Sequence, residues 1–245
     1  MEQTYHFLES RTAPVIKRLA SRCLEYTPQE KYYLTTFMAH QLTRVPRFRS
    51  VIEREIQNDF RQELCESAED ESRLRKSISD YLAANPDKKG SLTPEAVRES
   101  IARGGVRCAP TPLWVTAHAI HNALRFARVI FAAEWTFLIS DGPSTFVTAD
   151  QPVCLRSPGA KRLHIDTENA INPDLEITFA LSPSCLLIAH QHTGWPQVRG
   201  ADLAEVQNIN CGMMPVADRY VFAAQRSDAA LALEMRAHIE KKLRS

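Results

Sequence analysis

The hydrophobic rhythm of this chain changes once, near residue 133, and that change limits the fold more than any single motif. Up to that point apolar residues recur at helical spacing. Beyond it they come in short runs bounded by glycine, proline, aspartate and asparagine. A helical first half followed by strands, rather than alternating helices and strands, predicts an α+β fold: a helical N-terminal half packed on a mostly antiparallel or mixed β-sheet in the C-terminal half. The 245 residues read as a single compact domain, with a helical part at 1–132, a strand-rich part at 133–226 and a C-terminal helix at 227–245.

The helical half carries its own punctuation. Phe7, Leu8, Val15, Ile16, Leu19 and Leu24 predict a helix over 6–25, with Pro14 marking an interruption or a start. Thr27-Pro28-Gln29-Glu30 has the form of a capping box, with threonine at the cap, proline at the first helical position and glutamate at the third. The helix it opens should end before Pro46. One long or two consecutive helices follow to Ala84, with the acidic run Glu66–Glu71 as a solvated face or a break. Asn85–Gly90 reads as a loop. Thr93-Pro94-Glu95 opens a short helix that Gly104-Gly105 closes, and 113–132 is expected to be the most buried helix.

In the second half, Trp135–Ile139 and Thr145–Thr148 flank Asp141-Gly142-Pro143-Ser144, which predicts a hairpin. Further strands are expected at 153–156, 176–181, 184–191 and 219–225, with a helix at about 201–214. Ser227-Asp228 should cap a last helix with a basic end, Lys241-Lys242-Leu243-Arg244.

Composition removes several function classes. A formal net charge of +1 supplies no global field toward nucleic acid or an anionic membrane, so nucleic acid as a partner gains no support from charge, and no partner is specified. The most apolar stretch, Leu113–Trp135, is interrupted by His118, His121, Arg125, Arg128 and Glu134, a density that is costly in a bilayer. The start lacks the basic and apolar regions of a secretory signal. Cys23, Cys65, Cys108, Cys154, Cys185 and Cys211 are scattered, which reads as reduced thiols and a cytoplasmic location. With 8 glycines and no phosphate-loop, dinucleotide, nucleophile-elbow or kinase motif, no cofactor is expected.

Three polar stretches are candidates for chemistry. In Gln41-Leu42-Thr43-Arg44-Val45-Pro46-Arg47-Phe48-Arg49, Gln41 and Arg44 share a helix face, while Arg47 and Arg49 project from a new helix start. Guanidinium groups at such a junction either clamp phosphate or carboxylate, or tie elements together through ion pairs. Asp150 ends the apolar strand Phe146-Val147-Thr148-Ala149 just before Gln151-Pro152, and serves either as a site carboxylate or as a turn-forming one. The amides of Val206-Gln207-Asn208-Ile209-Asn210 are read as caps by default; a helix entry or bent segment there would let one cap and the other reach a cleft. His118 and His121, or His190 and His192, lack a third ligand, so no metal is expected.

Phe7-Leu8-Glu9, Gln41-x-x-Arg44-x-Pro46-x-x-Arg49, Trp135 ahead of Phe146–Pro152, Leu181-Ser182-Pro183, and Asn208 ahead of Ala217-x-Arg219-Tyr220-Val221 occur in one order. In this the chain resembles the bacterial domain of unknown function 4238. The resemblance implies that Glu9, Gln41, Arg44, Arg49 and Asp150 are the positions that matter. It also implies a serine and an asparagine around the aspartate, where this chain has Ala149 and Gln151, and a preceding histidine-containing segment that this sequence does not show. Two functions follow as expectations. One is a non-catalytic binding or regulatory protein with an arginine–aspartate structural network. The other is a hydrolase-type enzyme acting on a phosphodiester or nucleotide, with Asp150, Arg44 and Glu9 as catalytic groups, Arg44 and Arg49 on the anionic oxygens, and Gln41, Arg49 and Asn208 in binding.

Overall fold

The computed structural model describes residues 2–88, 92–105, 110–156, 175–213 and 217–231, with positions 233, 234 and 237. The predicted basic end at 241–244, Cys108 and the loop positions 89–90 lie outside the described residues. The fold is α+β, with helices mainly in the N-terminal half and a mixed sheet in the C-terminal half. Two compact units make up the chain. The first comprises residues 1–48 and 119–245, the second residues 49–118.

In the first unit, α1 (Glu2–Ala20) and α2 (Pro28–Thr43) are joined by a short turn in which Arg22 takes φ 67°, a left-handed conformation that glycine adopts more readily. The predicted capping box is present. Thr27 accepts from the Glu30 N–H, and Glu30 returns a bond from the Thr27 N–H at 2.8 Å. Arg18 adds a 2.8 Å bond to the other Glu30 oxygen, and together these donors hold the Glu30 carboxyl down at about 2.

Among the described residues seven strands follow: β1 (Glu134–Ile139), β2 (Thr148–Ala149), β3 (Val153–Arg156), β4 (Glu176–Ser182), β5 (Cys185–His190), β6 (Val198–Gly200) and β7 (Val221–Phe222). Five of them form a sheet in the order β3-β4-β5-β1-β6, antiparallel except for the β1–β6 pair, while β2 and β7 make a separate antiparallel ribbon. Strand alternation gives the sheet two apolar faces. On one, Phe179 meets Phe37 of α2 at 6.2 Å, and Trp135 and Phe137 meet Tyr26. On the other, Leu138, Cys154, Leu186 and Ile188 bury themselves with Phe146 and Val147 under α7 (Leu203–Met213), through Val206, Ile209 and Met213. Lys31 donates to the Ala133 carbonyl at 2.8 Å, at the end of α6 (Pro112–Ala132), with Phe131 and Trp135 faces near its ammonium. This is a cation placed where the helix dipole is negative.

The second unit holds most of α3 (Pro46–Glu69), then α4 (Glu71–Ala84), a 3-10 turn at Pro86–Lys88, α5 (Pro94–Ala102) and the start of α6. The acidic run resolves as a break, because the Asp70 carboxylate accepts from the Ser72 and Arg73 N–H groups and caps α4. α5 begins after the predicted Thr93 cap and stops just before Gly104, whose φ of 68° lets the Gly104 and Gly105 N–H groups turn back to Ile101 and Ser100.

Three expectations fail. The hairpin between 135–139 and 145–148 does not form, because β1 pairs with β5 and β6, and Phe146 donates instead to the Pro183 carbonyl at 2.8 Å. Helix α6 is not the most buried, since Leu113, Trp114, Ile120, Leu124 and Phe131 are exposed. Asp228 is no helix cap. The helical run starts at 226, and the Asp228 carboxylate turns to Ser144 and Thr145. A hairpin motif reads only its neighbours, and partners 40 or more residues away outweigh it here.

Candidate functional site

The stretch from Ser144 to Asp150 has few regular partners of its own, and polar groups from three distant segments fix it. Asn210 on α7 accepts from the Val147 N–H at 3.0 Å and donates to the Thr145 carbonyl at 2.9 Å. Asp228 accepts from the Thr145 N–H at 3.1 Å, from its hydroxyl at 2.5 Å and from the Ser144 hydroxyl at 3.1 Å. These bonds satisfy a backbone that crosses from the large sheet to the β2–β7 ribbon.

Asp150 follows β2 directly. Its N–H continues the ladder to the Tyr220 carbonyl at 3.1 Å, and its carboxylate receives three successive backbone donors from the opposite turn. Oδ1 takes the Asp218 N–H at 2.9 Å, while Oδ2 takes those of Arg219 at 2.6 Å and Tyr220 at 3.2 Å. Successive N–H groups in a turn form a concave anion seat, here filled by a side chain of the same molecule. Desolvation raises the Asp150 carboxyl pKa, but the backbone donors of Arg219, Asp218, Tyr220 and Gln151 outweigh it and leave it below the ordinary value. The carboxylate is therefore ionised, oriented and occupied.

Beside it lies an opening of about 320 Å³ lined by Val45, Pro46, Arg47, Asp150, Gln151, Asp218, Arg219 and Tyr220. All of these belong to the first unit. Gln151 is 3% exposed, and its Oε1 is buried without a hydrogen-bond partner among the described residues. An acceptor left in that state costs about 1–3 kcal/mol. Thr148, two residues before Asp150, has an orphaned buried hydroxyl as well.

The other predicted site residues do not share this opening. Glu9 and Arg44 pair at 3.6 Å, both about half exposed. Gln41 is buried within α2, and Arg49 donates to the Thr116 hydroxyl at 3.1 Å within the second unit. Asn208 is exposed on α7. Its neighbour Asn210, on the buried face with Val206, Ile209 and Met213, makes the contacts instead. A polar residue on an apolar helical stripe was the signal for it. Asp228 was marked locally only as a helix cap, and nothing in its neighbourhood pointed to Ser144 and Thr145.

A second polar row crosses the far end of the sheet. Glu176, buried, lies 3.9 Å from Arg156 Nε and 3.6 Å from His192 Nε2. His190 is buried and satisfied. Its Nδ1 accepts from the His192 N–H at 3.1 Å and its Nε2 lies 2.9 Å from the Thr136 hydroxyl, which donates to the Pro196 carbonyl at 3.0 Å. Nδ1 is thus the acceptor and Nε2 carries the proton. Burial, with His192 nearby, holds the His190 pKa below its usual value. His118 and His121 gain no third ligand either, as no group of three or more metal-ligating side chains occurs among the described residues.

Over residues 1–227 the sequence matches the family described as protein of unknown function (DUF4238), and the chain belongs to that family. Comparison with curated proteins and with solved structures gives no match. Among the described residues no helix is long and apolar enough to cross a membrane.

Proposed function

We propose that this is a non-catalytic binding protein in which Asp150 is a structural clamp and the adjoining opening is the binding surface. One observation carries the reading: both Asp150 oxygens already hold backbone N–H groups of residues 218–220. A general base must have a free lone pair directed at its substrate, and a general acid must hold a proton near neutral pH. A carboxylate engaged by three donors and with a lowered pKa suits neither task. The expected arginine–aspartate network becomes, in this reading, a backbone–aspartate clamp, with arginines at the rim of the opening.

The hydrolase alternative places Arg44 and Arg49 on the oxygens of a phosphodiester. Arg44 pairs with Glu9, and Arg49 bonds Thr116, which favours structural roles for both. Free thiols at Cys154 and Cys185, pushed up by burial to about 12 and about 11, support a reducing, cytoplasmic setting. The family resemblance supports a bacterial one.

The test is the Asp150→Asn variant, followed in parallel by urea unfolding and by hydrolysis of p-nitrophenyl phosphate and bis-p-nitrophenyl phosphate with added Mg²⁺ or Mn²⁺. The clamp reading expects a loss of about 1–3 kcal/mol in stability and no turnover by either protein. Turnover by the wild type that Asp150→Asn abolishes without loss of stability would overturn it.

A further inference from the structure

We propose that the exposed face of α6 docks on the same face of a second copy of this chain, the two helices lying antiparallel about a two-fold axis near residue 122. The surface stands apart from the opening beside Asp150.

The sequence of α6 is apolar nearly all round, the pattern of a helix covered on every side. Within one chain only one side is covered. Val115, Ala119, Ala123, Phe126 and Ile130 are buried, and Phe126 meets Phe48 edge-on at 6.0 Å. On the other side Leu113 is 77% exposed, Ile120 36%, Leu124 54% and Phe131 42%. Ala117, exposed, and Ala127, half-buried, lie between them. Steps of 4, 3, 4, 3 and 4 residues separate these six positions. A period of about 3.5 residues is the seam along which a second helix stays in contact. From Leu113 to Phe131 the stripe runs about 27 Å, at 1.5 Å per residue. A contiguous apolar stripe of that kind marks an interaction surface, where single exposed apolar residues would not.

Two observations choose the occupant. The first is size. Read from either end, the stripe goes large, small, large, large, small, large, a palindrome about residue 122. Antiparallel pairing about that point sets Leu113 against Phe131 of the second copy, Ala117 against Ala127, and Ile120 against Leu124. Each layer meets its counterpart of like size, and the alanine layers let the helices approach closely. A two-fold contact has to be self-complementary in this way.

The second is charge. α6 has no acidic residue, and its two arginines, Arg125 and Arg128, both lie in its C-terminal half. Parallel pairing would stack these cations on their equals and align the helix dipoles. Antiparallel pairing carries them to the half of the other α6 that holds no arginine, and opposes the dipoles. Trp114 and Arg128 are two heptads apart, so they border the stripe on the same edge. Across the two-fold axis Arg128 therefore comes near the Trp114 ring of the second copy, which is 51% exposed, as a cation over an aromatic face.

The experiment is sedimentation velocity of the full chain, from low micromolar to near-millimolar concentration. The wild type should pass from 27.7 kDa to twice that mass as concentration rises. Leu124→Glu, altered at an exposed side chain, should weaken the dimer at least tenfold and leave the melting temperature of the dilute monomer unchanged. Ala117→Glu and Ala127→Lys test the register. Each alone sets a charge against alanine and should weaken the dimer. The Ala117→Glu/Ala127→Lys double variant sets Glu against Lys in both alanine layers and should recover most of the loss. A double variant no stronger than the single ones would overturn the antiparallel arrangement. A wild type that stays monomeric throughout would overturn the second copy as occupant. A dimer that Leu124→Glu leaves intact would overturn the α6 face as its interface.

Discussion

The stretch 144–150 and the face where α1 meets α2 both carry polar residues that a reader of the sequence would mark as a site, yet they are held in opposite ways. In the first, Asn210, Asp228 and Asp150 spend their hydrogen-bonding capacity on main-chain groups from remote parts of the chain. In the second, Glu9 and Arg44 meet side chain to side chain at 3.6 Å, half in solvent. Side-chain-to-backbone bonds, buried at Asn210 and more open at Asp150, fix a path for the chain, whereas an exposed ion pair competes with water and salt. Polar residues in the first group should therefore matter to stability, and those in the second should not.

The comparison breaks most easily at Asn210. Truncation to alanine leaves the Val147 N–H and the Thr145 carbonyl without their partner, and should cost about 3–5 kcal/mol in equilibrium unfolding. A loss below about 1 kcal/mol would mean that the crossing segment is held by something else.

Asp150→Ala comes next, at about 1–3 kcal/mol, and it has a pH signature. The folded carboxyl pKa lies below the unfolded value, so the stabilisation is present above about pH 4 and disappears as pH falls through the folded pKa. Wild type and Asp150→Asn should therefore converge in stability at low pH and separate at neutral pH. A constant gap would contradict the assignment.

His190 supplies a separate window. Its folded pKa is depressed by burial, so the unfolded chain binds the extra proton and stability drops as pH falls below about 6.5. Replacement by a neutral residue should flatten that part of the pH profile, even while lowering stability at pH 8.

The smallest effect belongs to Glu9 and Arg44. A double-mutant cycle should return a coupling of about 0–1 kcal/mol, weaker still in high salt. A coupling above 2 kcal/mol would place this pair with the buried groups instead.

What could be read beforehand follows the same division. The Thr27 and Thr93 caps, the Gly104 stop and the strands expected at 153–156 and 184–191 are determined by residues within a turn or an alternation of each other, and the structure has them there, the second as Cys185–His190. The hairpin failed because Asp141–Ser144 only show that a turn is possible between two apolar runs, while the strand that pairs with β1 lies 46 or more residues onward. Asp150 was visible as a strand-ending carboxylate. Its partners were not, because a backbone N–H has no residue type to recognise. Gln151 looked like a departure from the family pattern, and only burial turned it into a candidate ligand group.

The most direct test of the clamp is hydrogen exchange of the Asp218, Arg219 and Tyr220 amides, followed residue by residue by NMR. The account predicts that all three are protected in the wild type and lose protection together in Asp150→Ala, along with the Ala149–Val221 pairing, while β4 and β5 are unaffected. Exchange of those three amides at unprotected rates in the wild type would contradict it.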